Sequence, residues 1–183
     1  MNIPMLLTIT RIVAIPVLVV IMLTPFPGQE IVAFAVFIFA CLTDMLDGFW
    51  ARRKKMTTVL GSLLDPMADK LLIASALICL VESHGVASWM AIIIIGREIA
   101  VTGFRAIAAS RGFNIPASGL GKLKMTLETI TIAILILGPD HLGIVFQLAQ
   151  TAGLWLIVAL ALFSAIEYFA RFGSRVLSEN SSS

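Results

Sequence analysis

Hydrophobic segments separated by short polar stretches run the whole length of this 183-residue chain. Most are about 20 residues long, which is the length an α-helix needs to cross the hydrocarbon core of a membrane. We place the six segments at about Met5–Leu23, Ile31–Arg52, Leu60–Val81, Ala87–Ala109, Leu123–Leu137 and Gln147–Ala170. The pattern predicts an all-α, polytopic membrane protein with six transmembrane helices.

The polar stretches between these segments alternate in charge. The stretches at 28–30, 82–85 and 139–143 contain no Lys or Arg. The intervening ones are basic, and they contain Arg52, Arg53, Lys54, Lys55, Arg111, Lys122, Arg171 and Arg175. The positive-inside rule makes the basic side cytoplasmic. Because the number of spans is even, we expect both termini on that side.

Composition agrees with a lipid environment. Apolar residues make up 59% of the chain, charged residues only 13%, and the mean hydropathy is +1.01, which excludes an ordinary soluble domain. We expect one membrane domain over residues 1–176, a disordered polar tail over 177–183, and the lipid bilayer rather than any nucleic acid as a partner. Cys41 and Cys79 lack metal or redox spacing and are predicted to be core residues.

Four of the eleven acidic residues fall within one 26-residue stretch that covers parts of the second and third segments. Asp44 and Asp47 are three residues apart, and Asp65 and Asp69 are four apart, so each pair shares one helix face. An Asp near the centre of a membrane helix costs roughly 2.5–3.5 kcal/mol, so four of them require compensating positive charge. Asp44 precedes the basic Arg52 by only eight residues, which puts the group in the cytoplasmic third of the membrane.

Divalent cations are the simplest compensation for these carboxylates. Carboxylate oxygens suit Mg²⁺ or Mn²⁺, and two such ions about 3.5–4 Å apart can clamp an in-line displacement at phosphorus. The alternatives are plain ion pairs with Lys70 and Arg52, a cation-transport path without catalysis, or a structural membrane subunit. Among these alternatives, the cation transporter is the strongest rival.

Small residues share the two acidic helix faces, and together with the acids they form a specific pattern. This pattern reads Asp44-x2-Asp47-Gly48-x2-Ala51-Arg52-x8-Gly61-x3-Asp65-x3-Asp69. It resembles the signature of the CDP-alcohol phosphatidyltransferase family. The resemblance implies a six-helix homodimer that transfers a phosphatidyl group from CDP-diacylglycerol to an alcohol and releases CMP.

The resemblance also implies a role for each position of the pattern. Asp44, Asp47 and Asp65 would hold two Mg²⁺ or Mn²⁺ ions, and Asp69 would be the general base, close to or sharing the metal site. The cytidine nucleotide site would be lined by Gly48, Ala51, Arg52 and Gly61.

Three basic residues near the cytoplasmic side predict a phosphorylated acceptor. Arg105, Lys122 and Lys124 could together bind a phosphate group. The stretches 96–98, 102–105 and 121–124 resemble members of the family that use sn-glycerol 3-phosphate, and inositol phosphate, serine and phosphatidylglycerol are the alternative acceptors. Arg97 lies deeper, where we expect either an ion pair with Glu98, Glu128 or Glu167, or a role in the acceptor site.

Overall fold

The computed structural model describes residues 3–54, 59–83, 85–110 and 119–177, and it describes side chains for 9–43, 67–83, 85–110, 123–168 and 170. These residues form helices, and there is no β-strand among them. The helices are α1 (Ile3–Leu23), α2 (Gln29–Lys54), α3 (Val59–Glu82), α4 (Ser88–Ser110), α5 (Gly119–Leu142), α6 (Ile144–Leu148) and α7 (Leu154–Leu177). A π-helical stretch, Ala149–Gly153, joins α6 to α7. The predicted all-α class is confirmed.

Most of the hydrophobic segments coincide with one helix each, whereas the sixth, Gln147–Ala170, begins in α6, crosses the π-helical stretch and ends inside α7. The first four predicted segments begin and end within two residues of α1 to α4. In α5 the regular helix is interrupted at Gly138, whose φ of 74° and ψ of 174° lie outside the helical region. Pro139 follows, and a residue before proline is driven away from the helical conformation. The regular part of α5 therefore ends at Leu137, as predicted. The tail predicted from 177 begins at the last residue of α7, and 178–183 lie outside the described residues.

The helices pack around one large apolar core, and among the described residues a second, smaller cluster of Val101, Ala108 and Tyr168 lies between α4 and α7. Helix α1 lies against α2 and α3, α5 contacts α2, α3 and α7, and α4 lies between α3 and α7. Leu18, Phe37, Leu77 and Ile132 are fully or almost fully buried in this core. The arrangement brings α3, α4, α5 and α7 together, which are the helices that supply the polar side chains described below.

Large apolar side chains also cover the outside of the bundle. Val20, Ile92 and Ile166 are 63%, 70% and 67% exposed. Within the described residues, 123–142 and 144–168 are long and apolar enough to cross a membrane, and 9–23 and 29–43 form shorter apolar helices. A helical chain that is apolar on both its inner and outer faces is consistent with a membrane protein.

Aromatic pairs tie α4 to α7 at both ends. The ring centroids of Trp89 and Trp155 are 5.4 Å apart at the start of the two helices. Those of Phe104 and Tyr168 are 6.3 Å apart near their ends, in an edge-to-face arrangement. Helices α4 and α7 therefore run side by side in the same direction.

Candidate active site

The four aspartates of the sequence pattern lie on two helices that pack against each other. Asp44 and Asp47 belong to α2, and Asp65 and Asp69 belong to α3. The helical backbone confirms that each pair is separated by about one turn. Asp69 is half-buried, whereas the side chains of the other three lie outside the described part of the chain. The predicted metal site therefore stays a prediction, and it rests on the carboxylate oxygens, which are donors that Mg²⁺ and Mn²⁺ prefer.

The residues predicted to line the nucleotide site occupy the same two helices. Gly48, Ala51 and Arg52 lie on the last three turns of α2, and Gly61 lies on the first turn of α3. Their side-chain surroundings, like residues 55–58 between the helices, are outside the described part.

A buried group of charged side chains lies beside the aspartate helices. We call Lys70, Arg97, Glu98, Lys124 and Glu128 the ion cluster. Glu98 is its centre, because its Oε1 accepts hydrogen bonds from Arg97 Nη1 and from Lys124 Nζ. Its Oε2 is 3.9 Å from Lys70 Nζ, and Lys124 Nζ is also 3.5 Å from Glu128 Oε2. The cluster thus connects α3, α4 and α5.

A serine extends this cluster to a fourth helix. Arg97 donates from Nε and Nη2 to Ser164 Oγ of α7, at 3.1 and 2.8 Å. The Ser164 hydroxyl in turn donates to the Ala161 carbonyl oxygen at 3.0 Å. Arg97 is therefore held on both sides of its guanidinium group, by Glu98 and by Ser164. The sequence-based expectation of a pair between Arg97 and Glu98 is confirmed.

The members of the ion cluster differ in burial. The side chains of Lys124 and Glu128 are only 2% and 5% exposed, whereas those of Glu98 and Lys70 are 23% and 30% exposed. Buried charges are normally paired, and Lys124 meets this requirement with two carboxylates. Glu128 Oε1 is buried and has no hydrogen-bond partner among the described residues. These five described residues comprise three cations and two carboxylates.

The three predicted acceptor residues lie in different surroundings. Lys124 is inside the ion cluster, a position that the sequence analysis did not foresee, although its i,i+4 spacing from Glu128 was a readable signal. Arg105 is exposed on α4, seven residues after Glu98, so the two share a helix face about 10 Å apart along the axis. The Lys122 side chain lies outside the described part.

An apolar groove of about 360 Å³ runs between α3 and α4 and reaches Glu128 of α5. Its outer walls include Met67, Leu71 and Ile99, which are 60%, 54% and 65% exposed. Asp69 is two positions from both Met67 and Leu71, which places it about 160° away around α3. Lys70 and Ile73 also line the groove, and Ile73 lies one turn beyond Asp69, so the groove is not separated from the Asp69 face of α3. Asp69 itself does not line the groove, and we do not assign the groove to the nucleotide site.

Comparison with known proteins identifies the family. The family model that describes CDP-alcohol phosphatidyltransferases matches residues 1–164. The chain belongs to this family. The resemblance seen in the aspartate pattern is thereby confirmed, and the phosphatidyltransferase is an enzyme, so the cation-transporter and structural-subunit alternatives are set aside.

Relatives of this phosphatidyltransferase cover almost its whole length. It is 39% identical over 183 residues to the CDP-diacylglycerol–glycerol-3-phosphate 3-phosphatidyltransferase of Bacillus subtilis, covering 93% of this chain and 94% of the relative. A protein of the same name from Pseudomonas fluorescens is 36% identical, with 92% and 88% covered. The probable phosphatidylglycerophosphate synthase of Mycobacterium tuberculosis is also 36% identical, with 93% and 81% covered.

Proposed function

We propose that this phosphatidyltransferase transfers the phosphatidyl group of CDP-diacylglycerol to sn-glycerol 3-phosphate, giving phosphatidylglycerophosphate and CMP. The observation that carries the proposal is the match to relatives named for this acceptor over more than nine-tenths of both chains in the Bacillus subtilis pair. Relatives named for the same reaction in Rickettsia bellii and Salmonella choleraesuis support it at 34% and 36% identity.

The enzyme is proposed to lie in the cell membrane as a homodimer of six-span subunits. Helices α1 to α5 would each cross once, and α6 with α7 would form the sixth span. The alternation of basic and non-basic loops supports cytoplasmic termini. Trp89 and Trp155 begin α4 and α7 at the opposite, non-basic end, and tryptophans are enriched at membrane interfaces. The active site would then lie in the cytoplasmic third of the membrane.

In the proposed reaction, Asp69 accepts the proton of a glycerol hydroxyl group. The hydroxyl oxygen then forms a bond to the phosphorus beside diacylglycerol, while the bond from that phosphorus to the CMP oxygen breaks. Asp44, Asp47 and Asp65, together with Asp69, would hold two Mg²⁺ or Mn²⁺ ions, which when bound supply positive charge to the pyrophosphate and the departing CMP. The carboxylates' one-turn spacing on two packed helices supports this assignment.

Around the reacting phosphorus, small residues are proposed to make room for the nucleotide. Gly48, Ala51 and Gly61 would allow the cytidine to approach the backbone of α2 and α3, and Arg52 would contact its phosphates. In this arrangement the nucleotide does not cover Asp69, so the general base can approach the hydroxyl group of the acceptor.

The acceptor's phosphate is proposed to bind Arg105, Lys122 and Lys124. Arg105 shares a face of α4 with Glu98, which contacts Lys124 directly. This placement of two cations, on helices linked by the contact between Glu98 and Lys124, supports a phosphorylated acceptor over serine.

The proposal is tested by CMP release from CDP-diacylglycerol with purified protein in detergent and Mg²⁺ or Mn²⁺. Glycerol 3-phosphate, inositol phosphate, serine and phosphatidylglycerol are offered in parallel. We expect turnover with glycerol 3-phosphate and loss of turnover with a chelator. Turnover with a different acceptor alone would retain the chemistry and overturn the acceptor assignment, and no CMP from folded protein would overturn both.

A further inference from the structure

We infer that Glu98 is a positioning residue that holds the Lys124 ammonium group in place for the acceptor's phosphate. This inference rests on the proposed function, because it assigns Lys124 to the acceptor site. It adds to that function a carboxylate which does not itself contact the reacting atoms.

The first observation is that Glu98 is the meeting point of cations from three helices. Its carboxylate accepts hydrogen bonds from Arg97 of α4 and Lys124 of α5, and it lies 3.9 Å from Lys70 of α3. A lysine ammonium is a point charge on a flexible four-carbon chain, so its location depends on the anions around it. Glu98 supplies the shorter contact of the two that hold Lys124.

The second observation distinguishes Glu98 from Glu128. Glu128 is on the same helix as Lys124, one turn further along, so it moves with Lys124 when α5 shifts. Glu98 is on α4, and it therefore fixes Lys124 relative to α4. Arg105 occupies the same face of α4. The contact between Glu98 and Lys124 thus sets the separation of two cations proposed to bind one phosphate.

The third observation is that Glu98 is itself held. Arg97 donates to Glu98 from one side of its guanidinium group and makes two hydrogen bonds to Ser164 Oγ from the other. Arginine's planar fork favours such fixed, multiple contacts. The order of support runs from Ser164 on α7 through Arg97 and Glu98 to Lys124. A carboxylate restrained in this way can orient a flexible lysine.

The test replaces Glu98 by glutamine, which preserves its shape and removes its charge. Glu98→Gln should raise the KM for glycerol 3-phosphate about tenfold, since one charge-assisted contact to the phosphate-binding lysine is lost. The KM for CDP-diacylglycerol should change by less than about twofold, because binding of that substrate is independent of Lys124 in this arrangement. Glu98→Asp, which keeps the charge on a shorter side chain, should give an intermediate KM for glycerol 3-phosphate.

Glu30→Gln is the matched control, because Glu30 Oε2 lies 3.9 Å from His141 Nε2 and neither residue belongs to the ion cluster. Its KM values should equal those of the unchanged enzyme. Thermal unfolding is measured for every variant. A lower Tm for Glu98→Gln with both KM values unchanged would overturn the inference and leave a purely structural role.

If Glu98→Gln does not fold, Glu98→Asp carries the test, and an unchanged KM for glycerol 3-phosphate in that variant overturns the inference. Failure of the proposed function has a different signature, which is the absence of CMP release with glycerol 3-phosphate from the unchanged enzyme.

Discussion

Replacing Lys124 by methionine should destabilise the protein far more than the same replacement of Lys70. Both lysines belong to the ion cluster and both approach Glu98. They differ in burial, because the Lys124 side chain is 2% exposed and that of Lys70 is 30% exposed. They differ also in the carboxylate that loses its cation when the lysine is replaced.

The magnitude follows from the partners of the remaining carboxylates. Without Lys124, Glu98 still has Arg97 and Lys70, but Glu128 loses the only cation that contacts it among the described residues. Its Oε1 already has no hydrogen-bond partner there. Breaking a buried pair by removing one partner costs about 3–5 kcal/mol, so we expect Lys124→Met to reduce the free energy of unfolding by that amount. Lys70→Met should cost less than about 1 kcal/mol, as for an exposed pair.

A double variant tests whether the unpaired Glu128 carboxylate causes the loss of stability in Lys124→Met. Adding Glu128→Gln to Lys124→Met removes that charge, so the pair should show a coupling free energy of about 1–3 kcal/mol. Unfolding is followed in mixed detergent micelles by the fluorescence of Trp89 and Trp155, which join α4 to α7. The reasoning is refuted if Lys70→Met is as destabilising as Lys124→Met, or if the double variant is no more stable than Lys124→Met alone.

Two further predictions concern the aspartates and the break in α5. Asp69→Asn should abolish CMP release while largely sparing CDP binding, whereas Asp44→Asn should weaken the binding of metal and nucleotide together. Isothermal titration calorimetry with CDP and Mn²⁺ measures both affinities in each variant. Equal binding defects in the two variants would contradict the roles assigned to Asp69 and Asp44. Gly138→Ala should reduce the free energy of unfolding by about 1–2 kcal/mol because of the positive φ at that position, whereas Gly96→Ala, at an exposed helical glycine with open space around it, should be neutral or stabilising. A Gly138→Ala variant as stable as Gly96→Ala would show that the break does not require glycine.

The helices were predictable from sequence because residues close together along the chain determine each of them. A run of apolar residues of sufficient length indicates a helix in lipid, and Gly138 with Pro139 marks the end of the regular part of α5. The one-turn spacing of Asp65 and Asp69 also needed only the helical repeat. Each of these inferences depends on residues within a few positions of one another.

The ion cluster was only partly predictable, because most of it depends on which helix faces meet. Arg97 and Glu98 are neighbours, and their pairing was one of the expected alternatives. The hydrogen bond from Lys124 to Glu98 joins residues 26 positions apart on different helices. Helical periodicity gives the face on which each residue lies, but the packing of α3, α4 and α5 decides which faces come together. The hydrogen bond from Arg97 to Ser164, 67 positions further along the chain, could not be predicted for the same reason.

The burial of the ion pairs in the cluster favours a function beyond stability. Replacing a buried ion pair with apolar residues of similar volume is often neutral or stabilising, so stability alone gives little reason to retain five charged side chains in this bundle. We propose that the cations of the cluster serve the acceptor site, because lysine and arginine side chains bind a phosphate monoester through charge-assisted hydrogen bonds. The phosphate of glycerol 3-phosphate is such a monoester, and it is proposed to bind Lys124 together with Arg105, which shares the Glu98 face of α4.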